Sequence, residues 1–215
     1  MKLPWKTRTR MSAPDPEDNP PEVSPRSEIH RSPGLEAALA GLSRQGAIRI
    51  LDLGPAIPEN VDFFAGFATR IQIVDALRES SDAGPATAVL RELAPQFEAA
   101  FHLVMLWDCL NYLSPAQGAA LIESVVPLCR PEARCLAMVV ASDTMPASPS
   151  RYRIVDDCHL TYERSTTEVL GAPQMTPAAV QDLLRGFSIE HAFVLRNGVR
   201  EYVATRDAAV TGPPG

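Results

Sequence analysis

No stretch of this 215-residue chain is apolar for long enough to cross a bilayer, and its first residues hold no signal-peptide-like apolar run. The sequence therefore predicts a soluble, cytoplasmic protein. Lysine is almost absent: Lys2 and Lys6 are the only two, and every other fixed positive charge is an arginine. The formal net charge of −6 argues against a general binder of nucleic acid or anionic membrane, since affinity for phosphate backbones comes largely from Lys and Arg. The expected partner is a small molecule or another protein. Cysteine is sparse, and Cys109, Cys129, Cys135 and Cys158 show neither CxxC spacing nor a nearby His pair. Reduced, buried thiols and no metal centre are predicted. The chain also lacks GxxxxGK[ST], GxSxG and HExxH, which excludes the phosphate-loop, nucleophile-elbow and zinc-peptidase signatures.

What is present is an α/β pattern long enough for one domain. Residues 1–33 are rich in Pro, Ser and acids without hydrophobic periodicity, and read as a disordered segment. One domain is expected over 34–207 and a flexible tail over 208–215. Leu35, Leu39 and Leu42 recur at helical spacing. Ile48-Arg-Ile-Leu-Asp52 then reads as a strand ending in a Gly/Pro break, with a helix from Pro58 whose apolar face carries Val61, Phe64, Phe67 and Ala68. A strand over 71–75 follows, then a helix from about Pro85 with Val89, Leu90 and Leu93 inward. The continuous apolar run over 101–107 predicts a central strand covered on both faces.

Ser114-Pro-Ala-Gln117 combines a Ser N-cap, Pro at the first helical position and a capping-box Gln. Another apolar strand covers 134–140. A long polar insertion over 142–175 contains two short extended pieces, 151–155 and 160–163, and Thr176-Pro177 opens a last helix. Two strands flanking Arg196-Asn197-Gly198 close the chain as a hairpin. The expected fold is α/β: a doubly wound, mostly parallel sheet with a C-terminal antiparallel β-hairpin, its third strand short or missing.

This order of elements resembles the class I S-adenosylmethionine-dependent methyltransferases over roughly residues 34–207. Leu51-Asp52-Leu53-Gly54 is similar to the start of the family's first motif, Asp75 to the acid that ends the second strand, and residues 101–113 to the fourth strand with its active-site extension. Residues 175–187 resemble the helix-and-strand entry near the family's C-terminus. Three departures stand out. Gly54, Ala56 and Pro58 occupy the positions of three alternating glycines, the interval from Asp75 to Phe101 has room for one helix, and Glu132-Ala133 replaces a Gly-Gly turn.

The resemblance implies S-adenosylmethionine as cofactor, with a small-molecule or protein methyl acceptor. Asp75 would hold the ribose, Asp52, Gly54, Pro55 and Ala56 would shape the loop beside the methionine part, and Trp107 and Asp108 would complete the cofactor site. Asp108 and Asn111 are candidate catalytic residues, because polar groups directly after an apolar strand tend to line a cleft. His159 is a third candidate, as a general base in the insertion, set against an ordinary surface-loop histidine. Tyr112, Arg151 and Tyr152 are candidate acceptor contacts. Two alternatives stand beside this reading: a methyltransferase-like domain that binds without catalysing, and a nicotinamide-dependent oxidoreductase, disfavoured by the absence of GxGxxG.

Overall fold

The computed structural model describes residues 28–42, 46–78, 84–93 and 100–208. Its architecture follows from how the longest apolar run is covered. β4 (Phe101–Trp107) is buried at all seven positions, which requires a strand inside a sheet with both faces packed. It lies between β2 (Ile48–Asp52) and β5 (Cys129–Val140), parallel to both, and β3 (Ala68–Ile73) extends the parallel set beyond β2. On the opposite side β11 (Val199–Arg206) runs antiparallel to β5 and to β10 (Phe187–Val194), so the six strands stand in the order β10-β11-β5-β4-β2-β3. The hairpin turns at Asn197-Gly198, where Gly198 adopts φ +79° and Asn197 accepts the Val199 N–H. Among the described residues no strand lies beyond β3, as the short interval after Asp75 predicts.

Helices cover both faces. On one, α3 (Pro85–Glu92), α4 (Pro115–Val125) and α5 (Pro177–Leu183) bring Val89, Leu121, Val125 and Val180 onto Val104, Leu106 and Tyr202. On the other, α1 (Pro33–Leu39) and α2 (Pro58–Ala65) bring Leu35, Ala38 and Phe64 onto Ile50, Leu103, Met105 and Leu136. Each fully buried Val, Leu, Ile, Phe or Met side chain among these contributes about 1.5–3 kcal/mol. The capping box of α4 is present, with Ser114 Oγ accepting from Gln117 and the Gln117 side chain accepting from the Ser114 N–H. Cys109, Cys129 and Cys135 are buried free thiols, held protonated by desolvation. No helix among the described residues is long and apolar enough to cross a membrane.

Several local expectations shift. α2 ends at Ala65, closed by the Gly66 N–H on the Phe63 and Phe64 carbonyls, so Phe67 and Ala68 leave the helix and β3 starts at Ala68. Leu90 is 57% exposed, because Val89 and Leu93, one turn apart, already fill the inward face of α3.

The largest difference is at the N-terminal boundary. β1 (Ile29–Arg31) pairs with β8 (His159–Glu163), which pairs with β7 (Arg151–Asp156) in a three-stranded antiparallel sheet. Ser32 then caps α1, donates its hydroxyl to Glu201 at 2.6 Å and donates its backbone N–H to the Cys158 carbonyl at 2.8 Å. Residues 28–33, read from sequence as part of the disordered segment, thus belong to the folded unit. Residues 1–27 and 209–215 lie outside the described residues. The insertion carries β7 and β8 where two extended pieces are expected, plus a small ribbon of β6 (Thr144–Pro146) with β9 (Val169–Gly171).

Candidate active site

A cleft of about 320 Å³ opens at the carboxyl ends of the parallel strands. Ligands bind open α/β sheets at this end. The loop after β2 supplies Leu53, Gly54 and Pro55, the turn after β3 supplies Asp75 and Arg78, and the end of β4 supplies Trp107 and Asp108. Pro149, Ser150, Arg151 and Tyr152 from the insertion form the remaining wall.

The centre of the arrangement lies between β2 and β4. Asp52 is 2% exposed, and its Oδ1 accepts from the Gly54 N–H at 2.9 Å and from Trp107 Nε1 at 2.7 Å. Burial dominates and pushes its carboxyl up to about 6, although both bonds act to lower it. The indole lies so close over Gly54 that an added Cβ would sit 2.6 Å from Trp107 Cδ1. Only glycine fits beneath that ring.

Trp107 itself adopts φ +50°, a left-handed conformation that costs a bulky residue on the order of 1–2 kcal/mol. Three contacts hold it there: the Asp52 bond, the Gly54 backbone, and the Tyr152 ring stacked at 5.5 Å and 7°. Such over-determined strain concentrates at functional sites. Tyr152 is held in turn by Asn60 of α2, which donates to the Tyr152 carbonyl at 2.9 Å and accepts from the Ile154 N–H at 2.8 Å.

Asp108 follows Trp107 directly and is 6% exposed. Its Oδ2 accepts from the Ser150 N–H at 3.0 Å, and desolvation, the largest influence, raises its carboxyl to about 6. Asp75 is half-buried at the start of the turn after β3, where it accepts the Arg78 N–H at 3.1 Å. Beside it a polar recess of about 510 Å³ is lined by Ala56, Arg78, Glu92 and Arg151.

Gly54, Pro55, Asp75, Trp107, Asp108, Arg151 and Tyr152 therefore meet in one cleft, with Asp52 beneath its floor and Ala56 in the adjoining recess. Asn111, Tyr112 and His159 do not line it. The Asn111 amide is used up on backbone: it donates to the Asp108 and Met138 carbonyls and accepts the Val140 N–H at 2.9–3.0 Å, tying the 3-10 turn Cys109–Tyr112 to β5. The Tyr112 hydroxyl donates toward the Pro146 and Ser148 carbonyls and so anchors the insertion. His159 sits at the β7–β8 turn against Asp156. Sequence reasoning missed Asn60 and Ser150. Asn60 sits between Glu59 and Asp62 in the polar start of α2, where nothing in the sequence sets it apart, and Ser150 acts through its backbone, which no side-chain pattern reveals.

No family model matches the chain, and no curated protein matches it in sequence. Solved structures do match. An S-adenosylmethionine-dependent methyltransferase from Mesorhizobium loti aligns at 17% identity over 81% of this chain and 96% of its own, with a TM-score of 0.50. A chain from Sulfolobus solfataricus aligns at 13% identity over 85% of this chain and 96% of its own, also at 0.50. The 1,6-didemethyltoxoflavin-N1-methyltransferase of Burkholderia thailandensis, solved with bound S-adenosylhomocysteine, aligns at 19% identity over 81% of this chain and 79% of its own, with a TM-score of 0.47. With its β10-β11-β5-β4-β2-β3 sheet order and terminal antiparallel hairpin, the chain has the fold of the class I S-adenosylmethionine-dependent methyltransferases, in a divergent form.

Proposed function

We propose that the chain is an S-adenosylmethionine-dependent methyltransferase acting on a small-molecule or protein acceptor. The observation that carries this reading is the convergence of Gly54, Asp75, Trp107 and Asp108 on one cleft at the carboxyl ends of β2, β3 and β4. The residues present suit the cofactor: a half-buried carboxylate can accept two ribose hydroxyls, and a largely apolar cleft with a fixed aromatic wall can shelter a sulfonium. Asp75 holds the ribose, the loop at Gly54 and Pro55 borders the methionine part, and Trp107 walls the site. When bound, the cofactor supplies an electrophilic methyl group.

The protein's own work is alignment and proton handling. Trp107 and Tyr152, locked against each other, shield the inner end of the cleft from water, where the buried Asp108 is the carboxylate next to them. With its carboxyl near 6, Asp108 is ionised at neutral pH and accepts a hydrogen bond, then the proton, from an N–H or O–H acceptor. Arg151 and Tyr152 border the side from which that acceptor enters.

A second reading, a methyltransferase-like domain that binds a partner without catalysis, draws support from Ala56 and Pro58 in the first loop, where Gly would ease close approach of a ligand. Calorimetric titration with S-adenosylhomocysteine tests the cofactor assignment. Turnover with a panel of amine and hydroxyl acceptors separates the two readings.

A further inference from the structure

Outside the cleft, the β7–β8 turn gathers three different donor atoms around one point. His159 Nδ1 lies 2.9 Å from Asp156 Oδ1, 3.0 Å from Asp156 Oδ2 and 3.4 Å from Cys158 Sγ. Carboxylate oxygen, imidazole nitrogen and sulfur all fall within 4.8 Å of one another. This is not the layout of a Cys-His-Asp proton relay, in which the carboxylate and the thiol take opposite ring nitrogens. Here both face the same nitrogen, which carries at most one proton, so the three atoms converge instead of forming a chain.

We propose that Asp156, Cys158 and His159 form a binding site for a thiophilic divalent cation, zinc above all. A tetrahedral zinc with bonds of about 2.0–2.3 Å sets its ligand atoms about 3.3–3.7 Å apart. The sulfur–nitrogen separation already matches, and the oxygen–nitrogen pair has to open by only a few tenths of an ångström. The mixed sulfur, nitrogen and oxygen set favours zinc over magnesium or calcium, which prefer oxygen alone. The turn is already shaped for it, since the Cys158 N–H is held on Asp156 Oδ1 at 2.9 Å. The sequence points away from zinc because its ligands lie in a four-residue turn, Asp156-Asp-Cys-His159, without CxxC spacing.

By its place in the fold the site acts as a clamp. Its three ligands close the turn joining β7, which begins with Arg151 and Tyr152 at the cleft, to β8, and the Cys158 carbonyl receives the Ser32 N–H that precedes α1. A bound ion therefore stiffens the wall of the cleft from its far end and strengthens its tie to the N-terminal strand. Three protein ligands leave a fourth position to water.

The test uses the untagged full chain, kept reduced with a non-thiol reductant. Zinc is titrated against a chromogenic chelator, and cobalt(II) is added separately to read thiolate-to-metal charge transfer. The other three thiols are buried, so a charge-transfer band reports Cys158. One equivalent of zinc should bind, the cobalt band should appear, and zinc should raise the thermal midpoint. Cys158→Ser should abolish the band, and Cys158→Ser and His159→Ala should each weaken zinc by more than the roughly 10–100-fold that loss of an outer-shell partner costs. All three residues are at least partly exposed, so both variants fold, which circular dichroism verifies. No zinc uptake at high micromolar concentration, or uptake unchanged in both variants, overturns the proposal.

Discussion

The indole N–H of Trp107 donates to Asp52 at 2.7 Å and joins the ends of β4 and β2, the two central strands whose loops form the floor of the cleft. Asp52 shares the same oxygen with the Gly54 N–H, so one buried carboxylate fixes both the first loop and the aromatic wall. Replacing Trp107 by Phe keeps an aromatic ring of smaller size but leaves that carboxylate oxygen with a single donor. Stability should fall by about 1.5–3 kcal/mol, the range for a hydrogen bond to a charged group, as read by urea unfolding. Gly54→Ala should cost about 1–3 kcal/mol, because its Cβ would meet the indole at 2.6 Å. A neutral outcome for Gly54→Ala would mean that the ring is free to move.

Asp52 and Asp108 should make the fold more stable in mild acid. Both carboxyls are raised from 3.8 to about 6, so between about pH 4 and pH 6 the native state binds protons more tightly than the unfolded chain. Stability falls as pH rises through that window, and the penalty, on the order of 2–3 kcal/mol for each group, is complete above about pH 6. Unfolding of wild type and Asp108→Asn compared at about pH 4.5 and pH 7.5 tests this. The variant should gain on the wild type at the higher pH only; parallel behaviour at both would assign the buried carboxyl an ordinary pKa.

Asn111 and Asp108 should separate cleanly. Asn111→Ala removes three bonds to backbone groups, of which only the Asp108 carbonyl keeps another donor, the Asn111 N–H, and should cost about 2–4 kcal/mol while leaving cofactor affinity unchanged. Asp108→Asn should spare the fold at neutral pH and lower turnover. Loss of cofactor affinity in a folded Asn111→Ala protein would move Asn111 back to the site.

The N-terminal boundary is testable by truncation. A chain beginning at residue 28 should keep the thermal midpoint of the full chain, whereas one beginning at Gly34 loses β1 and the Ser32 cap. It also leaves Glu201, 1% exposed, with the Gly34 nitrogen as its sole remaining partner among these contacts. A cap is worth about 1 kcal/mol and a hydrogen bond to a buried charge about 1.5–3 kcal/mol, so the shorter chain should unfold several degrees lower. Equal midpoints would make β1 dispensable.

The elements with local signals were legible in the sequence. The capping box at Ser114, the Asn197-Gly198 turn and the unbroken apolar run of β4 each carry their own physics within a few residues. β1 and the ties of Ser32 to Cys158 and Glu201 were not, because β8, Cys158 and Glu201 lie more than 120 residues away and no local pattern links them. The cleft residues at strand ends were readable from position alone. Asn111 was not, since a polar side chain after a strand can face a cleft or satisfy backbone, and only the path of β5 decides which.

Binding of S-adenosylhomocysteine measured by calorimetry tests the central claim most directly. Saturable one-to-one binding is expected, weakened roughly 10–150-fold by Asp75→Ala, which corresponds to about 1.5–3 kcal/mol for its hydrogen bonds to the ribose. Absence of heat at millimolar ligand from a chain shown to be folded would contradict the assignment of the cleft to this cofactor.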